Sequence, residues 1–403
     1  MQPWREVSVP VLNLDSSDFQ VFDSTTQSLT LASRSKEANL YVCGITPYDA
    51  THMGHAATYV AFDTLHRFWL ATGTKVNYTQ NITDIDDPLL ERAKLTGRAW
   101  QEIAVEQVDL FKADMEALRV IPPQNYVGVV EAIEMIEQSA VKLKELGVAY
   151  QVDADLYFDM THTDLLGKIC HLSKSEMLEV FAQRGGDPDR PGKRNPFDAL
   201  LWRGQSGDDP SWPSALGPGR PGWHIECSAI ATHYLGSQIT VQGGGSDLKF
   251  PHHEMSAAHA ESLTGVKPFA QTFMHAGMVS LDGEKMSKSL GNLVFVSKLR
   301  QQGVDPMAIR LVLLSHHYRS DWEWFDSELE VAQTRLANWR TALSHHTGAS
   351  SPVAEIVKVM RNDLDTPSAL KAIDVWAAET LAGAQLDATR EVAVAIDAIL
   401  GII

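Results

Sequence analysis

In the stretch "YVCGITPYDATHMGHAAT" (residues 41–58), Cys43 is followed by His52 and His55. A thiol and two imidazoles so close together suit three roles: metal ligation, nucleotide binding, or packing in a buried turn. A zinc-protease motif needs histidines four apart with an intervening glutamate. Here the spacing is three, with Met53 and Gly54 between, so that reading fails. Phosphate chemistry fits better. From Gly54 onward the spacing is helical, so "HMGH" opens a helix whose first N–H groups are unpaired and whose dipole is positive there. Gly54 permits close approach, and both imidazoles can donate to phosphate oxygens. Two ordinary helix-start histidines would look the same in these four residues.

A second motif, "KMSKS", sets Lys285 and Lys288 three residues apart in a Gly/Ser-rich setting. Two ammonium groups at that spacing can clamp polyphosphate and neutralise charge as a bond to phosphorus breaks. A solvated basic loop is the plain alternative.

The elements around these motifs follow one grammar. "ANLYVCG" (38–44) reads as a buried strand ending in a glycine turn. Tyr59, Phe62, His66 and Trp69 then recur at helical spacing as core packing, and Gly73 can stop that helix. "TKVNYTQN" (74–81) is a second strand, and strand, helix, strand is the pattern of a parallel sheet covered by helices. Residues 128–146 predict an amphipathic helix and 149–160 a strand. From about 184 to 222 the chain is rich in Gly, Pro, Asp and Arg and reads as long functional loops. The grammar returns at "SQITVQGGGSDLKFPHHE" (237–254), and after "KMSKSLGN" the remainder reads as helical. The expected organisation is α/β, with a sheet in two sequence halves, an insertion near 120–190 and a helical C-terminal domain.

Composition bounds the function. With 403 residues, 44% hydrophobic and 21% charged, the chain reads as an ordinary globular protein of two or three domains. The start "MQPWREVSVPVLNL" has no basic-then-apolar leader pattern, and no apolar run approaches the ~18 residues of a membrane helix. No membrane association is therefore expected. Three widely spaced cysteines suggest a reducing cytoplasm, in which thiols serve metal or catalytic chemistry. A net charge of −17 speaks against a broad nucleic-acid surface.

Taken together, "HMGH" after a first strand and "KMSKS" after a last one resemble the signature motifs of class I aminoacyl-tRNA synthetases. The resemblance implies a Rossmann-like parallel-sheet catalytic domain (36–120 and 190–295), an inserted connective domain (121–189) and a helical C-terminal domain (296–403). It also implies ATP-dependent adenylation with Mg2+: a carboxylate attacks the α-phosphorus and pyrophosphate leaves. His52, His55, Lys285 and Lys288 would stabilise the transferring phosphates.

"RPGWHIECSAI" with Cys227 and "GGGSDLKFPHHE" with His252 match, together with Cys43, the cysteinyl-tRNA synthetases and their relatives. In that group one zinc ion binds the substrate thiolate. Two thiols and an imidazole are suitable zinc ligands, and a catalytic zinc keeps one position open. A substrate sulfur there is told from a serine oxygen by ligand softness. The resemblance further assigns Cys43, Gly44, Ile45, Thr46, Thr58, Asn81, Ile82, Thr83, Trp223, Gly245, Ser246, Asp247 and Val279 to the amino acid and its adenylate.

Two departures matter. The glutamate that the synthetases place one turn beyond the first histidine of "FPHH" is here Ser256, and Glu254 would point elsewhere on a helix. After Asn292 come 111 residues with 10 Lys+Arg against 14 Asp+Glu, a short acidic part poorly suited to RNA. Both features resemble the cysteine:glucosaminyl-inositol ligases of mycothiol biosynthesis. These join L-cysteine, through cysteinyl-adenylate, to the amine of 1D-myo-inositol 2-amino-2-deoxy-alpha-D-glucopyranoside. In these ligases the "RGGDPDRPGK" motif is preceded by glutamate; here that position is Gln183. The expected reading is a cytoplasmic, monomeric ligase with no nucleic-acid partner. A compact cysteinyl-tRNA synthetase is the alternative, and a silent nucleotide-binding relative is disfavoured by the intact motifs. Cys170 is expected to be structural.

Overall fold

A computed structural model describes the chain except residues 16–17, 49–50, 282–283, 286–292, 346–348 and 385–388, and except the side chains of 284–285. Its centre is a five-stranded parallel sheet. The strands lie in the order Ala270–Ala276, Ile239–Gly245, Glu37–Val42, Lys75–Ile82 and Asn125–Gly128. Numbered along the chain, that order is 5-4-1-2-3, and it reverses between Glu37–Val42 and Ile239–Gly245. Open α/β sheets bind ligands beyond the carboxyl ends of the strands at such a reversal. Cys43 and Gly44 leave one of these two strands; Gly245 to Asp247 end the other.

The Met53–Ala71 helix begins where the sequence predicts. His52 caps it, accepting from Gly54 N at 3.1 Å. It is buried nearly all round because it packs between the sheet and the C-terminal helices, so it carries no polar stripe.

A four-stranded antiparallel sheet, Ala149–Val152, Asp155–Phe158, Ala199–Gly204 and Gly219–Pro221, forms the insertion. Strand pairing moves the expected domain edges. Asn125–Gly128, expected in the insert, pairs with Lys75–Ile82 in the parallel sheet. Residues 199–221, expected in the catalytic half, pair within the insert. The single strand expected over 149–160 is a hairpin that turns at Asp153, whose φ is +51°. From Val296 the described chain is helical apart from the short Trp322–Glu323 strand.

One buried ion cluster fastens these parts together. Asp63 on the Met53–Ala71 helix meets Arg67 Nε at 2.7 Å and also Arg310 Nη2 from the Pro306–Ser315 helix. All three side chains are fully buried. The surplus positive charge is met by carbonyls: Arg67 donates to Asp397 and Arg119, and Arg310 to Leu400 and Leu118, at 2.6–2.9 Å. Burial raises the Asp63 carboxyl, and the two guanidinium charges outweigh that and hold it below its ordinary range. Removing the carboxylate strands two buried cations. Asp63→Ala is expected to lose about 3–5 kcal/mol of stability, read from denaturant midpoints, while surface Asp109→Ala loses less than about 1 kcal/mol.

Candidate active site

The two strand ends at the sheet reversal open into a cavity of about 860 Å³. Cys43, Gly44, Ile45, Thr46, His52, His55, Thr58, Trp223, Gly245, Asp247 and Val279 line it. Eleven of the sequence-predicted residues therefore share one space. Gly44 has no room for a side chain: a Cβ there would stand 1.6 Å from the Asn81 carbonyl oxygen. Its N–H donates to Asn81 Oδ1 at 2.9 Å, which pins the turn after the first strand to the end of the second. Asn81, Ile82 and Thr83 are themselves buried and are not among the lining residues. They support the floor from below, with Asn81 Nδ2 on Thr83 Oγ1 at 3.2 Å. Ser246 starts the turn that carries Asp247 and lies outside the lining.

At the start of the Met53–Ala71 helix the His52 and His55 rings lie 3.8 Å apart between centroids. Across the cavity, the backbone of Lys285 pairs with Ser280 in a short hairpin. The Lys285 side chain and all of Lys288 lie outside the described residues, as does most of "KMSKSLGN".

The thiol cluster is assembled from three distant segments. Cys43 follows the first strand, Cys227 sits on the Trp223–Leu235 helix, and His252 precedes the Glu254–Thr264 helix. Their ligand atoms all lie within 4.8 Å of one another, and all three residues are buried. The sulfurs are 3.8 Å apart, and His252 Nε2 is 3.2 Å from Cys227 Sγ. A tetrahedral ion with sulfurs at about 2.3 Å separates them by about 3.8 Å, so the donor set and spacing fit a metal of the zinc type.

Neighbouring groups orient these donors. His224 and His252 meet through their Nδ1 atoms at 3.1 Å, leaving His252 Nε2 turned to Cys227 Sγ, and Trp223 stacks on the His252 ring at 4.4 Å. On the other side, His253 Nε2 lies 3.3 Å from Cys43 Sγ and Gln242 Nε2 donates to it at 3.4 Å. His253 in turn contacts His275, and His275 contacts Ser24 Oγ, each at 2.8 Å. Burial pushes His224, His253 and His275 well below the ordinary imidazole range, so these rings are neutral. Burial pushes the Cys43 thiol up. Burial pushes Cys227 up too, but its hydrogen bond with Cys43 and the neighbouring His252 ring outweigh this and lower it.

Glu254 does point elsewhere. Its carboxylate accepts from Gly167, Ile169 and Cys170 N–H groups at 2.7–2.9 Å, tying an insert loop to the segment that carries His252. Cys170 Sγ accepts from Leu172 N at 3.5 Å in that same loop, a structural placement. Ser256 is buried and its hydroxyl donates to the His253 carbonyl. Arg184 reaches across to donate to the Asp247 and Phe250 carbonyls, bracing the turn that carries Asp247. Gln183 lines the cavity and donates to Glu179 at 3.2 Å.

With this geometry in place, comparison with known proteins is decisive. The family "tRNA synthetases class I (C) catalytic domain" matches residues 30–334. The chain belongs to that family. Among its relatives it is 54% identical over 414 residues to an "L-cysteine:1D-myo-inositol 2-amino-2-deoxy-alpha-D-glucopyranoside ligase" of Thermomonospora curvata, with both chains covered entirely. It is 53% identical to proteins of the same name from Kribbella flavida and Streptomyces avermitilis, again over all of each chain. Within the synthetase family it therefore belongs with the ligases. The fold agrees with solved class I structures. Mycobacterium tuberculosis methionyl-tRNA synthetase with methionyl-adenylate superposes with a TM-score of 0.63 at 15% identity, over 91% of this chain and 89% of that one. The Agrobacterium radiobacter K84 agnB2 LeuRS superposes equally well at 12% identity, over 91% and 83%.

Sequence reasoning missed the imidazoles behind the cluster and a charged wall of the cavity. The doubled histidine in "FPHH" was a readable signal for His253; His224 had none beyond its place beside Trp223. On the charged wall, Asp86 caps the Asp87–Thr96 helix through a 2.8 Å bond from Asp87 N. Burial pushes its carboxyl up to about 6, against that hydrogen bond. Between the ordinary carboxylate pKa and about 6, the folded chain binds more protons than the unfolded one, so Asp86 costs stability as pH rises through that window. Asp86→Asn keeps a capping oxygen and removes the charge. It is expected to raise the melting temperature at pH 8 and to lose most of that gain at pH 4, as differential scanning calorimetry would record.

Proposed function

We propose that the protein ligates L-cysteine to the amine of glucosaminyl-inositol in two steps, using ATP. The observation that carries the proposal is the buried Cys43–Cys227–His252 cluster, whose Cys43 lines the cavity that also holds "HMGH". The full-length likeness to ligases named for this reaction supports it. In the first step a cysteine carboxylate oxygen attacks the α-phosphorus of ATP, and pyrophosphate leaves with the electron pair of the broken P–O bond. In the second, the neutral sugar amine attacks the activated carbonyl carbon, the C–O bond to phosphate breaks, and AMP leaves as the amide nitrogen gives up a proton.

The residues divide this work. His52 and His55, at the positive end of the Met53–Ala71 helix, face the phosphates and oppose their charge. Lys285 and Lys288 take the same role on the strength of the motif, and Mg2+ would add further positive charge against the phosphates. Thr58, Gly245, Asp247 and Val279 border the nucleotide, the glycine allowing its backbone to approach the ribose. Gly44 to Thr46, with Trp223, enclose the amino acid, while Asn81, Ile82, Thr83 and Ser246 set the positions of these contacts. Cys43, Cys227 and His252 would hold one zinc ion. Bound there, zinc supplies a soft Lewis acid that keeps the substrate cysteine as its thiolate and selects it over serine. Ser256 in place of a fourth protein ligand leaves coordination free for the substrate.

Among the described residues no helix is long and apolar enough to cross a membrane. A cytoplasmic, monomeric enzyme acting on small molecules completes the proposal.

The direct test supplies ATP, magnesium and L-cysteine with either glucosaminyl-inositol or deacylated tRNA, and follows AMP release and acceptor mass. An amide on the sugar with uncharged tRNA is the expected result; charged tRNA with unchanged sugar contradicts it. Cys227→Ala is expected to drop bound zinc from about one equivalent to below about 0.1, by plasma mass spectrometry. Cysteine-dependent ATP–pyrophosphate exchange should fall with it by at least about 100-fold.

A further inference from the structure

The adenylation machinery leaves one wall of the cavity without a role. Asp86, Asp87 and Glu91, at the start of the Asp87–Thr96 helix, line it together with Arg203 and Arg220 from the last two strands of the insert sheet. These residues form a built arrangement. Arg203 Nη1 donates to both oxygens of Asp87 at 3.0 and 3.1 Å, and Arg220 Nη2 donates to Asp87 Oδ1. Arg220 is only 5% exposed, and its Nε has no partner among the described residues. A buried guanidinium left short of one acceptor is uncommon in a wall whose sole task is stability. The Asp87 carboxylate is 45% exposed, and a carboxylate has about four acceptor positions, of which three are taken.

The wall also stands in the right place. Arg220 precedes Trp223 by three residues and Cys227 by seven, so it abuts the pocket proposed for the cysteine side chain. The nucleotide residues sit at the ends of the parallel strands and at the start of the Met53–Ala71 helix. The second substrate has to approach the activated carbonyl from a side that the nucleotide does not fill, and this wall offers one.

We infer that Asp86, Asp87, Glu91, Arg203 and Arg220 form the subsite for the acceptor, a polyhydroxy amine. The inference rests on the ligase reading above. A neutral polyol needs fixed acceptors for its O–H groups and fixed donors for its oxygens, and a carboxylate held between two guanidinium groups presents both. Three carboxylates against two guanidinium groups also suit the ammonium form of the amine on arrival, and they repel the phosphates of an RNA end.

The test separates the half-reactions in the zinc-loaded enzyme. Cysteine-dependent ATP–pyrophosphate exchange needs no acceptor, whereas amide formation across a range of glucosaminyl-inositol concentrations does. In Asp87→Asn and Arg220→Lys the KM for the sugar is expected to rise about ten- to hundredfold, with exchange staying within about threefold of the wild type. An unchanged sugar KM overturns the inference, as does a fall in exchange that matches the change in amide formation. Arg203→Lys, at a half-exposed position, is measured in parallel in case the other two unfold; the same split is expected, and its absence there also overturns the inference. The wild type guards the underlying reading. If it exchanges pyrophosphate but makes no amide, the ligase reading fails regardless of the variants.

Discussion

Everything else in this structure depends on bringing two thiols and an imidazole from three distant parts of the chain to within 4.8 Å of one another. A buried thiolate is costly to desolvate, so such a cluster persists only where the backbone over-determines it. The parallel sheet does this by its strand order. Because the order reverses between Glu37–Val42 and Ile239–Gly245, the turns after both strands face one crevice, and Cys43 enters it directly. Gly44, with no space for a Cβ, locks that turn against Asn81. Glu254 fixes the segment bearing His252 by taking three backbone N–H groups from the insert.

Stability and function use separate buried networks. The Asp63–Arg67–Arg310 cluster clamps the helix begun by "HMGH" to the C-terminal helices, further along that helix than its cavity-lining residues. The start of that helix is thereby held at a fixed distance from the strand ends. The C-terminal part thus works as a brace for the catalytic sheet: Leu400 and Asp397 supply carbonyls to the clamp, and Arg119 donates to the Ile403 carbonyl at 2.7 Å. The charged wall around Asp87 is different. It faces the cavity, and one of its members, Asp86, carries an electrostatic cost at neutral pH. Such a cost is more readily understood at a binding surface than in a scaffold.

Much of this was legible in the sequence because the informative elements are local. The strand at 38–44, the helix opened by His52, the glycine turn at 243–245 and the helix after His253 each carry periodicity or punctuation within about ten residues. The convergence of Cys43, Cys227 and His252 came from resemblance alone, since no spacing rule joins residues some 200 positions apart. Strands pair across the expected domain edges for a physical reason. Asn125–Gly128 is four residues long and lies directly before a strong helix pattern, so its pairing with Lys75–Ile82 left no local mark. The strands Ala199–Gly204 and Gly219–Pro221 were hidden within a Gly- and Pro-rich region that reads as loop. Asn81 and Thr83 were assigned to ligand by resemblance; they are buried, and Asn81 holds the Gly44 turn through its side-chain oxygen. The Asp87 wall had no sequence signal, because its partners Arg203 and Arg220 lie more than 100 residues away.

The central claim is that the thiol cluster holds a metal ion whose open position receives the sulfur of cysteine. X-ray absorption at the zinc edge of the loaded protein, with and without L-cysteine, tests it most directly. The account predicts two sulfur neighbours at about 2.3 Å in the free enzyme and three when cysteine is bound, with L-serine leaving the spectrum unchanged. Two sulfurs in both states, or a zinc with no cysteine sulfurs at all, would contradict it.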